Sequence, residues 1–428
     1  MQNTDTPEPL NREIGLFSAT AIGIGAVIGA GIFLVTGISA GLAGPAVILS
    51  ILVAGTIAYF TAVSFSKLSA YIPKEGGAYA FAYELISPTA GFFAGWMWIL
   101  SYTFAGAAMA LGFANYLAQI IPVIHVKIVA VAICLAFTLL NHVGIKESVI
   151  VNNILVLAKI MILFFFIALG VFFISPTNFT PFFIPTNEWG TLQATALIFF
   201  AYIGFARITT IAEEVENPSR TIPKAIILTL IISIVFYALT GFVAVGLVGY
   251  SALAGSDSPL ALAIAVTSIP TAVFVVSVGA IIATASVLLT AILGVSRVAF
   301  AMARNRDLPS FLERIDKKRK TPYKAVWFAG LLMTAAVVLT PNLAQVVALS
   351  SFASLLYYSL ANVAAINLST KTGKFSPLIP FIGLLSCLSL LVFLSLESWL
   401  IGIVTLVLGT AYYYLRRKNM KNMTKPEA

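Results

Sequence analysis

Charge is what this sequence has least of. Only 10% of its 428 residues are Asp, Glu, Lys or Arg, 60% are hydrophobic, and the mean hydropathy is +1.00. Water-soluble domains carry about 25% charged residues, so the composition describes a membrane protein. Cysteine is nearly absent: Cys134 and Cys387 lie far apart in apolar runs, which gives neither a disulfide framework nor a cysteine metal site. Histidine is equally rare, with only His125 and His142. No HExxH, GxSxG or phosphate-loop pattern occurs, which argues against embedded hydrolases and excludes an NTP-driven motor. No nucleophile–base pair or metal constellation can be assembled, so neither an enzyme nor a bound cofactor is expected.

Long uncharged runs are what the sequence does have. The first continues well past the core of a signal peptide without a cleavage site, so it is expected to stay in the mature protein. A span needs about 20 apolar residues. On that measure helices are expected at 14–39, 45–69, 89–119, 126–142, 151–174, 190–214, 224–250, 270–299, 324–340, 344–367, 378–395 and 398–415, twelve in all. The fold class is therefore all-α. Lys and Arg accumulate in cytoplasmic loops. With both termini inside, 22 of the 25 basic residues fall in cytoplasmic segments, Lys127 falls outside, and Lys159 and Arg207 fall within spans. The net charge of +9 is thus a matter of topology and the anionic inner leaflet, and the expected partner is the lipid bilayer, not nucleic acid. A multi-pass protein of the plasma or inner membrane is expected.

Glycine is concentrated in one place. Gly23, Gly25, Gly29 and Gly31 crowd the first span, where each costs about 1 kcal/mol in a helix interior. Two readings of this string stand: a close-packing face of the GxxxG kind, which Gly25 and Gly29 match, or an unwound stretch lining a cavity. The sixth span carries Phe199-Phe200-Ala201-Tyr202-Ile203-Gly204-Phe205. Interruptions at corresponding positions in two halves point to a transporter of inverted repeats. The expected organisation is a tail over 1–13, a first five-helix repeat over 14–174, a second over 190–367, two appended helices over 378–415 and a basic tail over 416–428.

The string Gly25–Phe33, the segment Phe200–Phe205, the run Glu213 to Pro223 and the loop Ala303 to Pro309 followed by Thr321-Pro322 resemble the amino acid–polyamine–organocation (APC) transporters. The resemblance covers essentially the whole chain. It implies a substrate at the bilayer midplane beside the two breaks. The second half of the first helix starts near Gly29, Ala30 and Gly31, and N–H groups at a helix N-terminus attract a carboxylate. The first half ends near Ile24 and Gly25, where freed carbonyls suit an ammonium group or cation. Phe200, Ala201 and Ile203 are expected to add carbonyls for the same ammonium. Phe33, Phe200, Tyr202 and Phe205 are either lids over the site or plain packing. The resemblance places a gating aromatic at Phe200.

Lys159 stands within the fifth span, about 10 Å from its start at 1.5 Å per residue. It either snorkels to the interface or faces the carbonyls opened by the first helix, in the place that sodium occupies in related sodium symporters. In the second reading its protonation responds to a proton gradient, because burial lowers a lysine's pKa, and the proton is the coupling ion. Thr284 and Ser286 lie where sodium ligands are expected, so a sodium site is the competing expectation; no other metal site is expected. Arg207 departs from the family pattern. Many relatives with cationic substrates have a carboxylate one residue after the Gly-Phe pair, where this chain has Ala206 and then Arg207. No Asp or Glu lies in mid-span, so a cationic side chain would lack a partner. Arg207 either pairs with Glu213, Glu214 or the inner vestibule, or gates the site and recognises a carboxylate. The expected function is alternating-access transport of a small neutral amino acid with proton symport. The alternatives are an amino acid exchanger without ion coupling, a carrier for cationic amino acids or polyamines, and a channel.

Overall fold

The computed structural model describes residues 14–73, 76–143, 149–316 and 321–423. The expected tail over 1–13 and the end of the basic tail lie outside the described residues, as do Lys317 to Lys320. The described chain is helical, with no strand beyond one isolated bridge between Ile14 and Val215. In chain order the α-helices are α1 (Leu16–Val27), α2 (Ala30–Ala43), α3 (Val47–Tyr71), α4 (Ala78–Leu85), α5 (Pro88–Ala118), α6 (Val126–Val143), α7 (Val149–Gly170), α8 (Gly190–Tyr202), α9 (Pro218–Ala254), α10 (Pro259–Ala265), α11 (Pro270–Arg304), α12 (Tyr323–Leu339), α13 (Leu343–Thr372), α14 (Leu378–Val392) and α15 (Leu396–Met423).

Among the described residues nine helical stretches are long and apolar enough to cross a bilayer, and α1, α12 and α14 are shorter apolar helices. The expected first span is the pair α1 and α2, and the sixth is α8 continued by a 3₁₀ helix over Ile203–Glu214. Helix α9 begins earlier than the sequence suggests. Asn217, in the left-handed region at φ 45°, and Pro218 start it, and Pro223 lies inside. The N–H that Pro223 lacks would have reached only Ser219, an exposed residue in the first turn of the helix.

Packing against lipid gains nothing from burying apolar surface, so close fit decides which helices meet. Helix α5 is at the centre, against α11 and α13. Its glycines admit neighbours: a Cβ on Gly95 would stand 2.7 Å from Met302 Sδ, and one on Gly112 2.5 Å from Leu34. Helices α7 and α15 lie at the periphery, with Leu157, Phe164, Leu400 and Val407 exposed on apolar outer faces. Both cysteines are buried and free.

Candidate functional site

The first span breaks where the glycines cluster. Ile28 and Gly29 leave the helical region, at ψ 71° and at φ −108° and ψ −148°, and α2 starts with no side-chain cap on its first N–H groups. The glycine string breaks the helix and also admits neighbours, but Gly25 meets Val156 of α7 and Gly29 meets Val287 of α11, so the two do not form one GxxxG face. A Cβ on Gly31 would stand 2.6 Å from the Cα of Ala201, and one on Gly204 would strike the carbonyl of Ala26. The two breaks therefore touch backbone to backbone, which no larger residue permits. Past its own break the sixth span runs as a 3₁₀ helix of 12 residues. Such runs rarely exceed three or four residues and mark hinges or functional strain.

The carbonyls freed by these breaks are held by tyrosine hydroxyls. The single hydroxyl proton of Tyr237 is shared between Val27 O at 2.6 Å and Ala201 O at 3.1 Å. Tyr358 and Tyr102 both donate to Ile203 O, at 2.6 and 3.3 Å; Tyr116 donates at 2.7 Å to Phe33 O, which lies inside α2 past the break. Broken backbone in a membrane needs such partners, because an unsatisfied group has no water to turn to. Nothing in the local sequence around the breaks announces these tyrosines. The available signal is that Tyr237 and Tyr357-Tyr358 sit in mid-helix, away from the interfacial belts. Tyr237→Phe is expected to lower the stability of the folded carrier by about 0.5–1.5 kcal/mol, the net worth of a buried hydrogen bond, since Val27 O still accepts from Gly29 N–H. Thermal unfolding of the purified variant measures it, and an unchanged midpoint contradicts this role.

A small cavity of about 30 Å³ opens between the breaks. Of the expected substrate residues it is lined by Gly29, Gly31, Phe200, Ala201 and Ile203. Ala30 heads α2 beside them. The structure does not bring the others there. Ile24 keeps its carbonyl inside α1, accepting from Ile28 N–H at 2.7 Å, because the helix runs on to Val27 before it breaks. Gly25 lies one turn before the break and serves Lys159 instead. Tyr202 points away, donating to Ile51 O at 3.2 Å and packing on Tyr237. Phe33 and Phe205 are packing residues, against Tyr116 and Tyr358 respectively. Only Phe200 of the four aromatics faces the cavity. The rest of the wall comes from Tyr102, Ala105 and Met109 of α5 and Val287 of α11, apolar-run residues with no local signal that sets them apart. The cavity has room for little more than water, so a substrate of amino acid size requires Phe200, Met109 or their neighbours to move.

Lys159 is at the middle of α7 and 1% exposed, which rules out snorkelling. Its Nζ donates to Gly25 O at 3.1 Å and to Ser286 Oγ at 2.5 Å, tying α7 to α1 and α11. Ser286 is thereby engaged by an ammonium. Thr284 turns back to Ala280 O and Ile281 O in its own helix. One turn after Ser286, Thr290 Oγ1 donates to Ser286 O at 2.8 Å, and Arg207 donates to Thr290 O. Arg207 is half-buried and lines the cavity. The Glu213 side chain, one of its expected partners, is not among those the structure describes.

Away from the cavity, the start of α1 is pinned to the end of the sixth span: Ile14 N–H donates to Glu214 O at 3.1 Å and Glu216 N–H to Ile14 O at 3.0 Å. At the end of α11, Tyr79 donates to Asp307 Oδ2 at 2.9 Å and accepts from Asn305 Nδ2 at 2.7 Å. Burial pushes the Asp307 carboxyl above the usual carboxylate range, against the opposing pull of that hydrogen bond and of Arg417 and Arg416.

Comparison with known proteins agrees with this architecture. The family model described as amino acid permease matches residues 14–415. The branched-chain amino acid permease BcaP of Bacillus subtilis is 33% identical, over 98% of this chain and 96% of its own length. A methylthioribose transporter of the same organism is 30% identical, over 97% of this chain and 95% of its own length. A vacuolar cationic amino acid transporter, number 4 of Arabidopsis thaliana, is 31% identical, over 85% of this chain and 64% of its own length.

Proposed function

The chain belongs to the amino acid permease family of APC transporters and is a multi-pass membrane transporter, not an enzyme; from that premise we propose that it carries a small neutral amino acid by proton-coupled alternating access. The observation that carries this reading is Lys159, an ammonium at mid-span bonded to Gly25 O of α1 and to Ser286 of α11. In the protonated form it cross-links the first half of the broken helix to α7 and α11. When the proton leaves, the neutral amine keeps two N–H donors but loses the charge that strengthens its bonds, and its hold on α1 weakens. Substrate enters between the breaks, with its carboxylate at the N–H groups opening α2 and its ammonium at the carbonyls of the sixth span. Ala201 O accepts from one tyrosine hydroxyl and a carbonyl oxygen has two lone pairs, whereas Ile203 O already accepts from two, so Tyr102 or Tyr358 gives way when substrate binds there.

In this scheme residues 14–174 and 190–367 are the inverted repeats that rock against each other, 378–415 are appended, and both termini face the cytoplasm, as the distribution of Lys and Arg favours. The rival is an exchanger that needs no ion. It is favoured by the same two bonds if Lys159 keeps its proton throughout and serves as a fixed charge. Competition between L- and D-amino acids for uptake into proteoliposomes tests the carrier reading. The expected result is saturable uptake blocked by one enantiomer, and a non-saturating, enantiomer-blind flux overturns it in favour of a channel.

A further inference from the structure

We propose that Tyr357 is a positioning residue for the substrate's ammonium: it receives the hydroxyl of Tyr102 when that hydroxyl gives up Ile203 O. This rests on the carrier reading above and adds to its binding site. A carbonyl oxygen has two lone pairs, and on Ile203 both are engaged by tyrosines, Tyr358 at 2.6 Å and Tyr102 at 3.3 Å. An incoming ammonium therefore displaces one hydroxyl. Tyr358 is held among the rings of Phe65, Phe199, Phe205 and Tyr357. Tyr102 makes the longer bond, stacks on Trp98 and lines the cavity together with Ile203. It is the hydroxyl that yields.

A buried hydroxyl that loses its acceptor weakens binding unless it finds another. Tyr357 offers one. Its side chain is fully buried on α13, with its ring centroid 4.2 Å from that of Tyr358. The Tyr357 hydroxyl lies within reach of those of Tyr102 and Tyr358, yet it is in hydrogen-bond geometry with no group among the described residues. Buried polar atoms without a partner are few in native proteins, and each asks for a reason. Here the reason is the substrate-bound state. Turning about its C–O bond, the Tyr102 hydroxyl leaves Ile203 O and donates to Tyr357 Oη, while Tyr358 keeps its own bond to Ile203 O. No donor is stranded, and one lone pair of Ile203 O is open to the ammonium.

The test measures thermal unfolding and the binding of labelled L-leucine and L-alanine on purified protein. Tyr357→Phe is expected to leave the unfolding midpoint of the substrate-free protein unchanged, because its hydroxyl has no partner there. The same variant is expected to weaken binding about two- to twelvefold, or about 0.5–1.5 kcal/mol at about 1.4 kcal/mol per decade, since it no longer receives Tyr102. Adding Tyr102→Phe removes the stranded hydroxyl, so the double variant is expected to bind more tightly than Tyr357→Phe alone. Two separate packing losses would add instead. A lowered midpoint in Tyr357→Phe, undiminished binding by it, or a double variant that binds no more tightly than it overturns the proposal. Failure of the wild type to bind either amino acid is a different result, which takes away the neutral amino acid reading and this proposal with it.

Discussion

Lys159→Ala is expected to cut proton-driven accumulation roughly 5- to 150-fold while leaving exchange of substrate across the membrane. In the wild type the ammonium joins Gly25 O to Ser286 Oγ, and in the proposed scheme its proton and the position of α1 are linked. Couplings of about 1–3 kcal/mol change affinities roughly 5- to 150-fold, and accumulation in response to an imposed pH gradient is expected to fall by a factor in that range. Counterflow, in which labelled substrate exchanges for unlabelled, requires no net proton movement and is expected to persist. Loss of both activities in a well-folded variant means the lysine is structural. Retention of proton-driven uptake means the proton travels elsewhere. The side chain is 1% exposed, so its removal also leaves a cavity, and Lys159→Met, which fills that space without a charge, is the companion variant.

The second large effect is expected from a single methyl group. In Gly204→Ala the new Cβ would meet backbone atoms of Ala26 and Val27, neither of which is the end of a flexible side chain. The two broken spans must then separate, at an overpacking cost of about 1–3 kcal/mol. Because the cavity lies between them, substrate affinity is expected to fall by a comparable free energy, roughly 5- to 150-fold at about 1.4 kcal/mol per decade. Gly255→Ala is the control, since its Cβ would find its nearest neighbour at 3.9 Å. Binding measured by competition on purified protein decides the matter. Equal affinity in Gly204→Ala and Gly255→Ala contradicts the claim that contact between the breaks shapes the site.

Much of this architecture is legible in the sequence, for physical reasons that can be named. Lipid demands continuous apolar runs, so spans announce themselves, and the helical counterparts of all twelve expected spans are present. Glycine is costly in helices, so the string Gly23 to Gly31 marked a break that falls at Ile28 and Gly29. Lys159 stood out because a charge within an apolar run needs a reason. The local details were not legible. That α1 holds its helix to Val27, which takes Ile24 and Gly25 off the cavity wall, depends on Tyr237 of α9 meeting the Val27 carbonyl from more than two hundred positions away. Tyr202 gave no sign of turning toward α3, because a tyrosine fits either role until its neighbours are known. The 3₁₀ course of Ile203–Glu214, which carries Arg207 to the cavity, reflects packing against α1 and α9 and not any propensity of its residues.

Uptake into liposomes holding only this protein, with a proton gradient, a sodium gradient or internal amino acid imposed one at a time, tests the coupling claim most directly. The account predicts stereospecific accumulation of a neutral amino acid driven by the proton gradient alone. Accumulation driven by sodium would place a cation where Lys159 now engages Ser286, and uptake seen only against internal amino acid would make the protein an exchanger with Lys159 a fixed charge; either result contradicts it.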